Sequence, residues 1–281
     1  MKSELEKNKT EQSVSLDGIS QTLCIPLVAR ALGDSMFPNV AVGDRYAARF
    51  LEMMGDDGHL WLHDRVSIYC CLMRCRQMRT LAQAFLTQHP DAVVINLGCG
   101  LSYYYQWLEN GEMQMYDCDL PQVLDIRRRL INTEDPLYHQ LSLDLTDPHW
   151  WENLALPPAV ARRPVFLFSE GVLIYFSPDT VRSIFRTFAA NAAPGSRFVF
   201  DATYGWMAGQ AFWNPSVYRA GAQIRWGPYS LSEFNLLHHR LRLLGTHEVM
   251  DMECMPFPLW PLWQWMAGVP VYATYELTTT N

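Results

Sequence analysis

Residues 92–101 read Ala-Val-Val-Ile-Asn-Leu-Gly-Cys-Gly-Leu, and this stretch decides the fold class of the chain. Its first six residues form an apolar run that predicts a strand buried on both faces, as in the centre of a parallel sheet. Gly98 and Gly100 follow the strand directly, and a helix is predicted from about Ser102. A strand, a Gly-x-Gly turn and a helix form a nucleotide-binding geometry, because glycines let a ligand approach the backbone and a helix N-terminus presents N–H groups without partners.

Downstream of this strand, short β-rich runs alternate with helical stretches of about 10 to 15 residues, which is typical of βαβ units on a parallel sheet. Pro121 is predicted to begin one helix, and Asp179 to cap another that reaches Asn191. We therefore expect an α/β, Rossmann-like sheet that is mostly parallel, with an antiparallel pair of late strands at its edge. The further strands are predicted at 114–118, 139–143, 165–168 and 197–201, and the late pair at 246–252 and 271–278.

The chain is predicted to form a single domain, 1–281. Residues 1–15 are polar and are expected to be a frayed tail, whereas 16–90 carry apolar residues at helical spacing and predict a helical N-terminal cap. The α/β core is expected at 91–281, with an aromatic, lid-like insertion at 204–236 that walls a pocket. Three more aromatic residues are expected in that wall: Trp260, Trp263 and Trp265.

Composition excludes several classes of protein. Of the 281 residues, 49% are apolar and 18% are charged, which excludes a mostly disordered chain. The net charge of −7 provides no basic field for binding nucleic acid, so no nucleic-acid partner is predicted. The one basic run, Arg127–Arg129, is interpreted as the solvated face of a helix.

Targeting, metal and membrane signals are weak. The polar start Met1–Gln12 shows no secretion signal, so we expect a cytoplasmic protein with seven reduced cysteines. Neither cysteines nor histidines recur at ligand spacing, and no metal site is predicted. The uncharged stretch between Glu253 and Glu276 is long enough to span a bilayer, but its prolines would break a helix, so no membrane span is predicted.

Acidic residues follow three of the predicted strands at the same rim of the sheet: Asp119, Asp144 and Glu170. An acid after the second strand accepts hydrogen bonds from a ribose diol, although each acid taken singly could merely cap the helix that follows it. Tyr103 replaces the third glycine of the dinucleotide motif, which disfavours a Rossmann dehydrogenase. Three carboxylates would repel a pyrophosphate but suit a sulfonium, so the residues favour S-adenosylmethionine.

A larger set of motifs, spread in order over about residues 17 to 203, points to one family. The motifs are Ile25–Ala31, Met78-Arg79-Thr80, Asn96–Leu101, Cys118-Asp119-Leu-Pro121 followed by Arg127–Arg129, Leu143-Asp144-Leu145, and Glu170–Pro178. Together they resemble the leucine carboxyl methyltransferase family, in particular its polyketide O-methyltransferase branch. The resemblance implies a class I methyltransferase fold and S-adenosylmethionine as the cofactor.

The resemblance also implies which residues contact the cofactor. They are Arg79 for the methionine carboxylate, Gly98 for the methionine end with Gly100 in the same loop, Asp119 for the ribose, Asp144 and Leu145 for the adenine, and Glu170 for the far side. Arg30 is a second candidate for the carboxylate. After Gly100-Leu101 the family commonly has Asp-Thr-Arg, whereas this chain has Ser102-Tyr103-Tyr104, so these three residues receive no family role.

The leading hypothesis is an O-methyltransferase that acts on a small-molecule carboxylate or hydroxyl. A carboxylate is already ionised at neutral pH, whereas a phenol needs a base, and no catalytic base is identified. Tyr175, Tyr204 and His63 are candidates for the pocket wall, and Arg225 is a candidate anchor for an acceptor carboxylate. A protein C-terminal carboxyl methyltransferase and a non-catalytic S-adenosylmethionine-binding protein remain as alternatives.

Overall fold

The structure is a computed structural model that describes residues 21–55, 58–158, 160–210, 215–250 and 266–281. The expected frayed tail and the expected wall residues Trp260, Trp263 and Trp265 lie outside the described residues.

A seven-stranded sheet forms the centre of the molecule, in the order β3-β2-β1-β4-β5-β7-β6. Strands β1 to β5 are mutually parallel, and β7 runs antiparallel to both of its neighbours. The predicted Rossmann-like sheet is confirmed, and so is the antiparallel pair of late strands at its edge, in which the half-exposed β6 is outermost and the largely buried β7 lies inside it. The strands are β1 (Val93–Leu97), β2 (Gln114–Asp119), β3 (Tyr138–Ser142), β4 (Val165–Ser169), β5 (Arg197–Thr203), β6 (Leu241–Glu248) and β7 (Tyr272–Thr279).

Helices lie before the first strand and between later ones. As predicted, Pro121 begins a helix. The prediction that Asp179 caps the next long helix is wrong, because the Ser177 hydroxyl accepts the N–H of Thr180 and is the N-cap. The helices are α1 (Cys24–Leu32), α2 (Ala47–Met54), α3 (His59–Leu62), α4 (Arg65–Gln88), α5 (Tyr105–Leu108), α6 (Pro121–Leu130), α7 (Trp150–Asn153), α8 (Pro178–Asn191), α9 (Pro215–Arg219) and α10 (Glu233–Leu237).

The longest helix, α4, links the N-terminal helices to the sheet. Asp64 caps its first turn by accepting the N–H of Ser67 at 3.0 Å. Its buried face includes Phe85, whose ring lies 5.5 Å from that of Phe166 on β4. This packing holds α4 against the centre of the sheet. Nowhere in the described ranges is there a helix long and apolar enough to cross a membrane.

Arg127 on α6 does not lie on a solvated face. Its side chain is fully buried, so the interpretation of Arg127–Arg129 as one solvated face is wrong for this residue. The next residue, Arg128, does remain in solvent, where it pairs with Asp125 at 3.1 Å. The difference arises because Arg127 lies on the buried face of α6, with Val123, Leu124 and Ile126, and this face packs against the sheet.

The buried Arg127 guanidinium fastens the glycine loop to the sheet. It forms an ion pair with Asp117 of β2 and donates a hydrogen bond to the Tyr138 hydroxyl of β3 at 2.9 Å. It also donates to the carbonyl oxygens of Gly100 at 2.9 Å and of Ser102 at 2.5 Å. One side chain thus joins the turn after β1 to the two neighbouring strands.

We expect the substitution Arg127→Ala to be strongly destabilising, because it leaves the Asp117 carboxylate buried without its cation. The free energy of unfolding should fall by about 3–5 kcal/mol. Arg128→Ala is the matched control, and it should cost less than about 1 kcal/mol because its ion pair is exposed. Urea denaturation followed by circular dichroism measures both, and equal small losses would contradict the role given to Arg127.

Candidate active site

The turn after β1 is held against the end of β2 by backbone hydrogen bonds. The N–H groups of Gly98 and Cys99 both donate to the carbonyl oxygen of Cys118, at 2.8 Å and 3.0 Å. The N–H of Gly100 donates to Oδ2 of Asp119 at 2.7 Å. The loop is therefore fixed at the carboxyl ends of two central strands, where ligands bind in open α/β sheets.

Both glycines of this turn are required by the backbone and by close neighbours. Gly98 has φ +70° and Gly100 has φ +51°, in the left-handed region that favours glycine. A Cβ at Gly98 would lie 2.5 Å from the side chain of Val172, and one at Gly100 would lie 2.9 Å from Leu23. The sequence motif therefore reports a real steric constraint.

A cavity of about 430 Å³ opens beside this loop. Its wall includes the loop 98–102, residues 170–172 after β4, Arg30 of α1 and Arg74 of α4. Beyond the charged side chains, the wall becomes largely apolar. The residues there include Ile174, Tyr175, Met207, Val217, Ile224 and Met250. The volume is in the range of about 300–1,000 Å³ that is usual for small-molecule sites.

Arg74 is the centre of a buried cluster of charges. Its Nε donates to Oε1 of Glu170 at 3.0 Å, and its Nη1 donates to the Tyr272 hydroxyl at 2.8 Å and reaches Oδ2 of Asp201 at 3.4 Å. Asp201 is held in turn by the Tyr272 hydroxyl at 2.7 Å and by the N–H of Gly171 at 2.6 Å. The Nη2 of Arg74 makes no hydrogen bond to any described residue, so it keeps its two N–H donors for a ligand.

Arg30 provides a second buried cation in the same wall. It is only 3% exposed, and its Nε donates to Oδ2 of Asp44 at 3.0 Å. Burial alone would lower the pKa of Arg30, but the negative charges of Asp44 and Glu170 raise it above its ordinary value. Its two terminal nitrogens have no hydrogen-bond partner within the described part of the chain. The cavity therefore contains two permanent cations with unused donors.

The structure brings three of the residues expected at the cofactor into the cavity wall: Gly98, Gly100 and Glu170. Asp119 lies behind the loop and does not line the cavity. Its carboxylate accepts the N–H groups of Gly100 and Leu120, and burial raises its pKa. Two backbone donors occupy only part of its accepting capacity, so it can still accept hydrogen bonds from a diol.

Asp144 and Leu145 lie farther along the same rim, outside the cavity. The N–H of Leu143 donates to the carbonyl oxygen of Asp119 at 2.9 Å, which sets the end of β3 beside the end of β2. The exposed carboxylate of Asp144 accepts the N–H and the hydroxyl of Thr146, at 2.8 Å and 2.7 Å, and Leu145 is buried.

Arg79 is not brought to the cavity. Its Nη1 donates to the carbonyl oxygen of Val42 at 2.9 Å, and its guanidinium lies 5.3 Å from the centre of the Trp107 ring. Arg74 and Arg79 lie five positions apart on one helix, which separates their directions by about 140°. The arginine of α4 that faces the cavity is therefore Arg74, and the expected contact of Arg79 with the cofactor carboxylate has no support in this arrangement.

Of the three candidates Tyr175, Tyr204 and His63, Tyr175 lines the cavity, whereas Tyr204 and His63 do not. Arg225 lies on a separate cleft of about 360 Å³, so it is not placed to anchor an acceptor in the main cavity. Its neighbour Ile224 does line the main cavity. Consecutive side chains of an extended segment point in opposite directions, which explains the separation.

The possible bases in the described part of the cavity wall are the carboxylates of Asp64 and Glu170, and both already accept hydrogen bonds from protein groups. Burial raises the pKa of the Tyr175 and Tyr272 phenols and of the Cys71 and Cys99 thiols, so these groups remain protonated at neutral pH. No histidine or lysine is among the described residues of that wall. In the ranges that the structure covers, no three His, Cys, Asp or Glu side chains are grouped to bind a metal ion.

Sequence reasoning missed Arg74, Asp201 and the burial of Tyr104. Asp201 carried a signal, because it ends the predicted fifth strand at the same rim as the three acids that were recognised. Arg74 carried none, since it is one of several arginines on a long helix and only the packing of α4 selects it.

Comparison with known proteins identifies the family. The sequence model described as leucine carboxyl methyltransferase matches residues 22–189, which is more than half of the chain. The chain belongs to the leucine carboxyl methyltransferase family. The predicted resemblance is thereby confirmed, and the chain is an S-adenosylmethionine-dependent methyltransferase.

Two curated relatives are similar over much of the chain. The tetracenomycin polyketide synthesis O-methyltransferase TcmP of Streptomyces glaucescens is 27% identical over 247 residues, which cover 88% of this chain and 87% of the relative. The S-adenosyl-L-methionine-dependent methyltransferase dpfgK of Gibberella zeae is 29% identical over 198 residues, which cover 66% of this chain and 63% of the relative.

Solved structures agree on the fold. A Thermobifida fusca protein assigned as a methyltransferase superposes with a TM-score of 0.56 at 18% identity, covering 92% of this chain and 94% of its own. A DUF574 family protein from Streptomyces avermitilis gives a TM-score of 0.56 at 12% identity. The superposition covers 90% of this chain and 99% of the Streptomyces avermitilis chain. At these identities the similarity supports the fold alone.

The residues at the strand ends fit S-adenosylmethionine. Gly98 and Gly100 line the cavity, so a ligand there can contact their backbone. Arg74 and Arg30 offer N–H donors to a carboxylate, and Glu170 offers an anion to an ammonium or sulfonium group. Asp119 does not line this cavity, but its carboxylate at the end of β2 keeps accepting capacity for a ribose diol.

We expect Arg74→Lys to weaken binding of S-adenosylhomocysteine about tenfold, because lysine keeps the charge but loses the planar fork of donors. Arg79→Lys is the matched control on the same helix, and its affinity should equal that of the unsubstituted chain. Isothermal titration calorimetry measures both. A loss with Arg79→Lys and none with Arg74→Lys would show that Arg79, and not Arg74, binds the carboxylate.

Proposed function

We propose that this methyltransferase transfers the methyl group of S-adenosylmethionine to an oxygen of a small molecule, and that the acceptor oxygen belongs to a carboxylate. The observation that carries the proposal is the pair of buried arginines in one cavity wall. Arg30 and Arg74 both keep N–H donors without a described partner, whereas the cofactor has a single carboxylate.

Two cations with unused donors can serve two carboxylates, one on the cofactor and one on the acceptor. Buried guanidinium groups bind carboxylates strongly, because the hydrogen bonds are charge-assisted and compete little with water. A hydroxyl acceptor would leave the donors of one arginine unused. The unused N–H donors of the two arginines therefore favour a carboxylate acceptor.

The carboxylates among the described wall residues that could act as bases already have hydrogen-bond partners, which supports the same conclusion. A phenol has a pKa near 10 and would need a base to become a good nucleophile, whereas a carboxylate has a pKa near 4 and is already ionised. Glu170 is engaged by Arg74, and Asp64 accepts hydrogen bonds from Ser67 and Ser216. An acceptor that is already ionised does not need to transfer a proton to Glu170 or Asp64.

The apolar part of the cavity supports a small molecule over a protein tail. Ile174, Met207, Ile224 and Met250 contribute apolar side chains to the wall of the same cavity. Such a wall suits a flat or aliphatic body anchored by a few polar contacts. The relative TcmP, which is named for polyketide synthesis, is similar over most of this chain and supports the same class of acceptor.

When bound, S-adenosylmethionine supplies a methyl carbon that is electrophilic because it is attached to a positive sulfur. The work of the protein is alignment and exclusion of water, which supply most of the acceleration in a displacement at carbon. Arg74 and Glu170 hold the amino-acid end at the glycine loop, Arg30 orients the acceptor carboxylate, and the apolar wall excludes water from the acceptor.

The test is a transfer assay with tritiated S-adenosylmethionine over a panel of aromatic and aliphatic carboxylic acids, phenols and peptides that end in a free carboxylate. We expect methyl esters of small acids to form and the peptides to remain unlabelled. Labelling of peptide tails at rates equal to those of small acids would favour a protein carboxyl methyltransferase. Tight cofactor binding with no labelling of any acceptor would favour a non-catalytic binding protein.

We expect the transfer rate to be independent of pH between about 6 and 9, because a carboxylate acceptor with a pKa near 4 is fully ionised over that range. The measurement is kcat/KM for the best acceptor at several pH values, with cofactor affinity measured in parallel. A rate that rises with pH would point to a hydroxyl acceptor that must lose a proton.

We expect Ile224→Phe to raise the KM of the acceptor while leaving S-adenosylhomocysteine affinity unchanged, because the larger side chain occupies the apolar part of the cavity. Arg225→Ala is the matched control one residue away, and neither constant should change because Arg225 lies on the separate cleft. If Arg225→Ala alone raises the acceptor KM, the acceptor binds in the separate cleft beside Arg225 and not in the main cavity.

A further inference from the structure

Tyr104 occupies an unusual position for a tyrosine next to a charged cavity. It lies immediately before α5, and its side chain is fully buried. Its ring packs edge-on against Phe168 of β4, with 4.7 Å between ring centres, and against Trp107 at 5.3 Å. Its hydroxyl oxygen lies 2.8 Å from Oε2 of Glu170. The ring is thus fixed by the core, and its one polar atom reaches the cavity wall.

The two oxygens of Glu170 are held from opposite sides. Arg74 of α4 donates to Oε1 at 3.0 Å, and the Tyr104 hydroxyl donates to Oε2 at 2.8 Å. The Glu170 side chain is only 5% exposed, yet the residue lines the cavity. Each oxygen therefore has one protein donor and retains accepting capacity for a ligand.

The phenol can act only as a donor to this carboxylate. Burial, followed by the nearby Cys75 and Glu170, raises the pKa of Tyr104 far above its ordinary value, so the hydroxyl keeps its proton. A neutral donor stabilises the carboxylate without cancelling its charge. A cation at this position would form an ion pair with Glu170 and would reduce the attraction of the carboxylate for a positive ligand.

The charges around the cavity make this distinction important. Three carboxylates, of Asp44, Glu170 and Asp201, share two guanidinium groups, of Arg30 and Arg74. The described cluster therefore carries one excess negative charge, which a positive ligand group can neutralise. Because Tyr104 is neutral, that excess remains available at Glu170.

We propose that Tyr104 is a positioning residue for the cofactor: its hydroxyl fixes Glu170 so that the carboxylate, still fully charged, accepts hydrogen bonds from the ammonium group of the methionine end. The proposal rests on the proposed placement of that end at Arg74 and Glu170. A carboxylate that is ordered before the ligand arrives loses little conformational entropy on binding, so the hydroxyl contributes to affinity without touching the ligand.

The first test compares two adjacent tyrosines. Tyr104→Phe removes the hydroxyl and keeps the buried ring, and it should weaken binding of S-adenosylhomocysteine about tenfold or more, because a hydrogen bond to a charged group is lost. Tyr105→Phe is the matched control, since its hydroxyl donates to Asp135 at 2.6 Å, away from the cavity. It should bind with unchanged affinity. Calorimetry gives both constants, and circular dichroism verifies the fold of each variant.

Steady-state kinetics with the best acceptor separate positioning from a general loss of structure. In Tyr104→Phe the KM for S-adenosylmethionine should rise, while the KM for the acceptor stays within about twofold of the unsubstituted value. Equal cofactor affinity in Tyr104→Phe and the unsubstituted chain would overturn the proposal. An equal rise in both KM values would also overturn it.

A double-mutant cycle tests whether Tyr104 acts through Glu170. Adding Tyr104→Phe to Glu170→Gln should cost little further affinity, because the carboxylate that the hydroxyl orients is already gone. Losses that simply add would contradict the proposal. Unchanged affinity in Glu170→Gln alone would instead contradict the placement of the cofactor at Glu170, which distinguishes failure of the proposed function from failure of the role of Tyr104.

Discussion

The buried ion pair between Arg127 and Asp117 is the interaction on which the site depends. Without Arg127, the buried carbonyl groups of Gly100 and Ser102 in the glycine loop would need other hydrogen-bond donors. A buried pair of this kind contributes little net stability compared with an apolar pair of the same shape, because both charges must be desolvated. Its value here is geometric, since it fixes a left-handed glycine turn in one position at the carboxyl ends of the strands.

The cost of burying charge also explains the cavity wall that contains Arg74 and Arg30. Arg74 and Arg30 are buried cations that are only partly satisfied by their own carboxylates, and an arrangement of this kind costs stability until a ligand arrives. Binding sites commonly keep such unsatisfied groups because they give affinity and direction to the ligand. The structure therefore uses Arg127, whose two terminal nitrogens are fully engaged, to build the loop, and two arginines with unused terminal N–H donors to serve what binds beside it.

The fold was largely predictable, whereas the site was predictable only where it followed strand ends. The strand before Gly98 and the acids after successive strands could be predicted from local sequence pattern, and the structure has both. Arg74 and Arg79 show the limit: the motif favoured Arg79, but the rotation of α4 against the sheet directs Arg74 to the cavity. Arg127 shows another limit of sequence-based prediction, because a run of three arginines does not reveal that one of them is buried by tertiary contacts.

The measurement that tests this account most directly is a crystal structure of the chain with S-adenosylhomocysteine bound. The account predicts the ligand at the rim formed by β1, β2 and β4, with its carboxylate hydrogen-bonded to Arg74, its ammonium group at Glu170 and its ribose diol at Asp119. A ligand whose carboxylate contacts Arg79, or one that lies in the cleft beside Arg225, would contradict it.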